Sequence, residues 1–208
     1  MTATLVIATD CAPLVGLAEH WGADFLAVPD AVDAGAVDLE AWRERAGAGA
    51  AADRVAVAVW GPAAEAQPFI DLSADDFRSR CEQPFALWYA ALGAAARRCA
   101  DGGAVVAIVE RPSPLDCAGW APESGIADAV EAFVRSLARS EGPRGVRVNA
   151  VTTPARFVDG PVVAPPPPLA SFPGTLAEAA DAAQMLLGTG ISGVTGTVIH
   201  ADSGRSWR

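Results

Sequence analysis

Apolar positions fall into two alternating arrangements along this chain. Short apolar runs occur at Thr4–Ala8 (TLVIA), Asp24–Val28 (DFLAV), Arg54–Val59 (RVAVAV) and Ala104–Val109 (AVVAIV), and Val146–Val151 and Gly196–His200, which include polar residues, supply the last two strands. Runs of this length, rich in Val and Ile and with no polar alternation, predict strands buried on both faces of a sheet. Between them the spacing is helical. Leu14, Leu17 and Ala18 share one side of a helix over Pro13–Trp21, and Leu39–Ala46 predicts a short second helix. Ser73 with Asp75 and Asp76 marks a capped helix start, because the hydroxyl and the acids satisfy the first free N–H groups and the dipole there. That helix runs to about Cys99, with Pro84 expected to kink or divide it. Ile126, Val130, Phe133, Val134 and Leu137 form the apolar face of a further helix over Gly125–Ser140, closed by Gly142-Pro143. The segment VVAPPPPLASFPG, from Val162 to Gly174, has polyproline character and no helical pattern.

Strands alternating with helices in this way predict one α/β domain over residues 1–208: three layers, with a Rossmann-like, doubly wound parallel sheet in the middle. No internal repeat and no second domain is apparent. Composition narrows the functional classes. A net charge of −10 excludes the basic surface that nucleic acid or an anionic membrane requires. No apolar run reaches the roughly 18 residues of a membrane span, and MTATLVIATD lacks a basic leader, which points to a cytoplasmic chain. Cys11, Cys81, Cys99 and Cys117 are widely separated, and His20 and His200 are isolated. That pattern predicts core thiols in a reducing compartment and no metal site.

Two stretches carry a family resemblance. Ser124–Val151 reads SGIADAVEAFVRSLARSEGPRGVRVNAV, and GVTGTVIHADSG follows near the end. Both resemble the short-chain dehydrogenase/reductase family, with the likeness weakening toward the N-terminus. The resemblance implies a Ser, a Tyr-x-x-x-Lys pair and an Asn for catalysis, and a glycine-rich turn for NAD(P). This chain contains no lysine, one tyrosine (Tyr89) and one asparagine (Asn149). Aligned on the family, the serine position holds Glu110 and the Tyr and Lys positions hold Glu123 and Ala127, with Glu110 and Glu123 thirteen residues apart as the pattern requires. The asparagine position falls on Pro84. The cofactor-turn positions hold Ala8, Ala12 and Leu14, and the strand that supports the cofactor has Ala58 where the family has asparagine. The interval between the second strand and the next is short, so a strand or crossover of the full family fold is trimmed.

Hydride transfer of this kind uses a tyrosine acid whose pKa is lowered by a neighbouring ammonium. With neither residue in place, the chain is expected to bind no cofactor and to act as a non-catalytic member. It would pair with an active relative, itself holding NAD(P), in a heterodimer or heterotetramer. Trp88, Tyr89, Phe133 and Leu137 on the two long helices, and Trp207 in the tail, are the interface candidates. Two other readings stay open: an enzyme whose acid/base groups are Glu110 and Glu123, and a homo-oligomeric ligand-binding or regulatory protein. Against the first stand Pro112, Pro114 and Pro122, which predict a remodelled surface loop carrying solvated carboxylates.

Overall fold

The computed structural model describes residues 2–30, 38–157 and 175–205. Strands β1 (Thr4–Ala8), β2 (Asp24–Ala27), β3 (Ala52–Ala58), β4 (Cys99–Glu110), β5 (Arg147–Thr153) and β6 (Val198–His200) form one sheet in the order β2-β1-β3-β4-β5-β6. Every adjacent pair is parallel. Helix α1 (Ala12–Trp21) joins β1 to β2 and α2 (Leu39–Gly47) joins β2 to β3. The composite helix of α3 (Ala74–Phe77) and α4 (Gln83–Arg98) joins β3 to β4, α5 (Ala121–Ser140) joins β4 to β5, and α6 (Leu176–Leu187) precedes β6.

Period-two alternation of side chains explains the two cores. Leu5, Ile7, Val55, Val57, Val105 and Ala107 face one layer with α2, α4 and α5. Val6, Ala8, Ala56, Ala58, Val106 and Ile108 face the other, with α1 and α6. The central stretches of β1, β3 and β4 are unbroken apolar runs because both faces of the sheet are covered there. The expected three-layer, doubly wound sheet is what the chain forms, with six strands among the described residues.

Three local features bear on function. First, the long helix is divided just before Pro84, but without ending. It runs as α3 (Ala74–Phe77), a π-helical stretch over Arg78–Glu82 and α4 (Gln83–Arg98). A proline has no N–H, and its ring crowds the carbonyl four residues earlier, here that of Arg80. Widening the turn into a π-bulge relieves the crowding without ending the helix. Second, α5 begins at Ala121 rather than Gly125, so Pro122 and Glu123 lie in its first turn and not in a loop. Proline suits that position because its missing N–H would have no partner there anyway. Third, β4 starts at Cys99, five residues earlier than the apolar run suggests, and its register against β3 shifts between Ala52 and Arg54. The proline-rich stretch and Trp207 lie outside the described residues.

Candidate functional site

An open parallel sheet offers its ligand crevice beyond the carboxyl ends of the strands, where the chain switches direction. Here that point lies between β1 and β3, since α1 and α2 leave on opposite faces. The crevice is stitched together. Thr9 Oγ1 accepts a hydrogen bond from the Trp60 backbone N–H at 2.9 Å and donates to the Trp60 carbonyl at 3.1 Å. Thr9 N–H also donates to the Ala58 carbonyl at 3.0 Å. At the start of α1, Cys11 provides no side-chain cap and Pro13 supplies no N–H. Of the three cofactor-turn positions, Ala8 and Leu14 are core residues with no exposed surface, as is Ala58 on the supporting strand. The obstruction expected from their side chains reduces to Ala12 and Pro13, which are exposed. Thr9 and Trp60, which the sequence reading did not single out, line an open cleft of about 670 Å³ together with Asp30, Gln67 and Arg80.

Beyond β3, β4 and β5 lies a cavity of about 160 Å³. Glu110, the last residue of β4, and Glu123, in the first turn of α5, both line it, as does Pro84. Three of the four catalytic-template positions therefore meet at one site. The fourth, Ala127, is fully buried in the core beneath α5. The expectation of solvated carboxylates is corrected here, since only 11 % of the Glu110 side chain and 16 % of the Glu123 side chain are exposed. The early start of α5 and the cover of Trp120 and Phe157, whose rings meet edge-on at 5.0 Å, account for this.

Two arginines that the sequence reading missed complete the site. Arg80, buried in the π-helical turn, forms a bidentate pair with Glu123, at 2.7 Å from Nε to Oε1 and 2.9 Å from Nη2 to Oε2. Its remaining donors reach the carbonyls of Glu65 (3.3 Å) and Gly119 (3.4 Å), and its guanidinium lies 5.6 Å from the centre of the Trp120 ring. Arg80 thus ties together the segments after β3 and before α5. Gly119, at φ +85°, makes that approach possible, because a Cβ there would sit 2.9 Å from the Gln67 nitrogen. Arg156, just after β5, donates to Glu110 Oε2 at 3.1 Å and to the Gly61 carbonyl at 3.2 Å, and stacks 5.3 Å over Trp60. Oε1 of Glu110 has no hydrogen-bond partner among the described residues. Burial pushes the Glu110 carboxyl up to about 8; Arg156 opposes the shift and Glu123 adds to it. At neutral pH Glu110 therefore carries a proton, and its contact with Arg156 is a hydrogen bond to a neutral acid.

The interface candidates separate by exposure. Trp88 is 1 % exposed and lines the cavity, so its assignment to an interface is corrected: the indole is core. Tyr89 is 55 % exposed, stacked on Arg43 and edge-on to Phe133. Phe133 and Leu137 are half-buried, and Phe85, absent from the sequence reading, joins Phe133 at 5.2 Å. Among the described residues no group of His, Cys, Asp or Glu could hold a metal ion, and no helix is long and apolar enough to cross a membrane.

Comparison with known proteins agrees on architecture. No protein-family profile matches the sequence, and a search of curated proteins finds no match. Solved structures do match over nearly the whole chain. A short-chain dehydrogenase/reductase from Serratia marcescens is 19% identical with a TM-score of 0.69, covering 98% of this chain and 97% of its own. BdcA in complex with NADPH is 22% identical with a TM-score of 0.67, covering 97% and 93%. The enoyl-(acyl-carrier-protein) reductase of Anaplasma phagocytophilum, in complex with NAD, is 22% identical with a TM-score of 0.62, covering 98% and 93%. The fold is that of the short-chain dehydrogenases/reductases. In this short-chain dehydrogenase fold, Glu110, Glu123, Arg80 and Arg156 occupy the mouth of the sheet.

Proposed function

We propose that this chain is a cofactor-free, non-catalytic subunit of short-chain dehydrogenase fold that associates with an active relative and supports that relative's NAD(P)-dependent oxidoreductase activity. The observation that carries this reading is the buried Arg80–Glu123 pair, which fills the position the resemblance gives to a tyrosine acid. A guanidinium–carboxylate pair with its donors also committed to two carbonyls has no proton to give a ketone. At the helix N-terminus where a pyrophosphate would bind, Pro13 removes one N–H and no glycine opens the turn. Phe77, Phe85 and Tyr89 leave aromatic surface exposed along α3–α4, and Phe133 extends it onto α5. An aromatic patch of this kind suits a subunit contact.

Co-expression with catalytically intact short-chain dehydrogenases from the same source tests the reading. A complex of fixed stoichiometry, whose turnover exceeds that of the partner alone, is the expected result. A chain that purifies alone and leaves each partner's activity unchanged contradicts it.

One observation favours a second reading, an acid/base enzyme. Glu110 is held neutral by burial while Glu123 sits in an ion pair, the kind of divergence that separates an acid from a base. Under that reading the isolated chain turns over a substrate, and Glu110→Gln or Glu123→Gln abolishes turnover.

A further inference from the structure

The cavity at the strand ends is unevenly furnished. Val59, Pro62, Pro84, Trp88, Ile126 and Phe157 give it apolar walls, while Arg80, Glu123, Glu110 and Arg156 form a polar arc. Arg80 and Glu123 satisfy each other in both charge and geometry. The other pair is incomplete. Arg156 spends one donor on Oε2 of Glu110 and one on a carbonyl, and Oε1 of Glu110 has no partner among the described residues although it is out of reach of bulk water. A buried polar atom without a partner is costly, and in a native protein it marks a place for an unseen group.

We infer that this cavity binds a small monocarboxylate, with one ligand oxygen hydrogen-bonded to Oε1 of Glu110, the ligand's charge facing Arg156 and its apolar body against Trp120 and Phe157. The inference does not depend on the association proposed above. Size sets the first limit: a volume near 160 Å³ matches an apolar cavity of about 150 Å³ that accepts benzene, so the ligand is one ring or a short chain. Charge sets the second. Arg156 and Glu123 act directly on Glu110, and Arg80 is the other charged group lining the cavity. With Glu110 protonated, Arg80 and Glu123 cancel, and Arg156 is left as a cation facing a neutral acid. One negative charge completes the set. Hydrogen-bond polarity sets the third. Oε2 accepts from Arg156, so the Glu110 proton resides on Oε1, which then donates and requires an acceptor oxygen. A short carboxylate meets all three limits, while an ammonium ligand meets only the first.

Titration of the purified chain with benzoate and with benzylammonium, followed by the tryptophan indole N–H resonances, tests the inference. Benzoate should bind saturably with a dissociation constant of about 1 mM or tighter at pH 7, and benzylammonium at least tenfold more weakly. Above pH 8 benzoate affinity should fall about tenfold per pH unit, as Glu110 gives up the proton it donates. Glu110→Gln keeps a donor and has nothing to ionise, so its benzoate affinity should stay within about threefold of the parent at pH 7 and remain flat to pH 9. Absence of saturation by about 10 mM benzoate, preference for benzylammonium, or an undiminished pH dependence in Glu110→Gln would each overturn the inference.

Discussion

Glu110 couples stability to pH in a direction opposite to that of a salt-bridged acid. Unfolded, it loses its proton near its ordinary value of 4.5; folded, it keeps it to about 8. Between those values the folded state binds more protons than the unfolded state, so stability falls as pH rises through the window and levels off above it. The contribution amounts to at most about 5 kcal/mol across the whole window. Glu110→Gln should match the parent near pH 5 and be more stable by several kcal/mol at pH 8.5, measured by denaturant unfolding; parallel profiles would contradict the burial argument. Arg80 makes a sharper case. Removing it strands the Glu123 carboxylate under Trp120, so Arg80→Ala should cost about 3–5 kcal/mol. Adding Glu123→Gln to that variant should recover part of the loss in a double-mutant cycle.

At the scale of elements, the clamp between β1 and β3 is held by a single side chain. Thr9→Val preserves shape and removes both hydrogen bonds to Trp60, at a cost of about 1–3 kcal/mol. Hydrogen exchange of the Trp60 amide should accelerate selectively; an unchanged rate would mean that the strand ends hold without Thr9. Most elements were legible in the sequence because the apolar runs RVAVAV and AVVAIV admit few alternatives to a buried strand. Pro122 was misread, because proline marks both a loop and the first turn of a helix, and only the tertiary fold decides between them. The carboxylates of the site were legible from family spacing, whereas their arginines were not. With every basic residue an arginine, Arg80 and Arg156 carry no mark that separates them from surface charges. Arg80 sits one turn before Pro84, but the widened π-turn that presents it follows from packing rather than from local pattern. The small residues after Trp88, Ala90, Ala91, Ala94 and Ala95, suit either a helix contact or a core, and here they belong to the core.

For the molecule as a whole, the buried double core and the exposed aromatic face of the helices are separate features. The outer face of α3–α5 keeps Phe85 and Tyr89 in solvent, at 43% and 55% exposure. Phe85→Glu should leave folding stability within about 1 kcal/mol. In sedimentation analysis with the partner present, it should shift the chain from complex to free subunit; a complex of unaltered size would place the contact elsewhere. The proposed loss of the dinucleotide site is tested most directly by a calorimetric titration of the purified chain with NADH and NADPH. The proposal predicts no saturable heat up to millimolar coenzyme, and a micromolar dissociation constant accompanied by reduction of a carbonyl compound would contradict it.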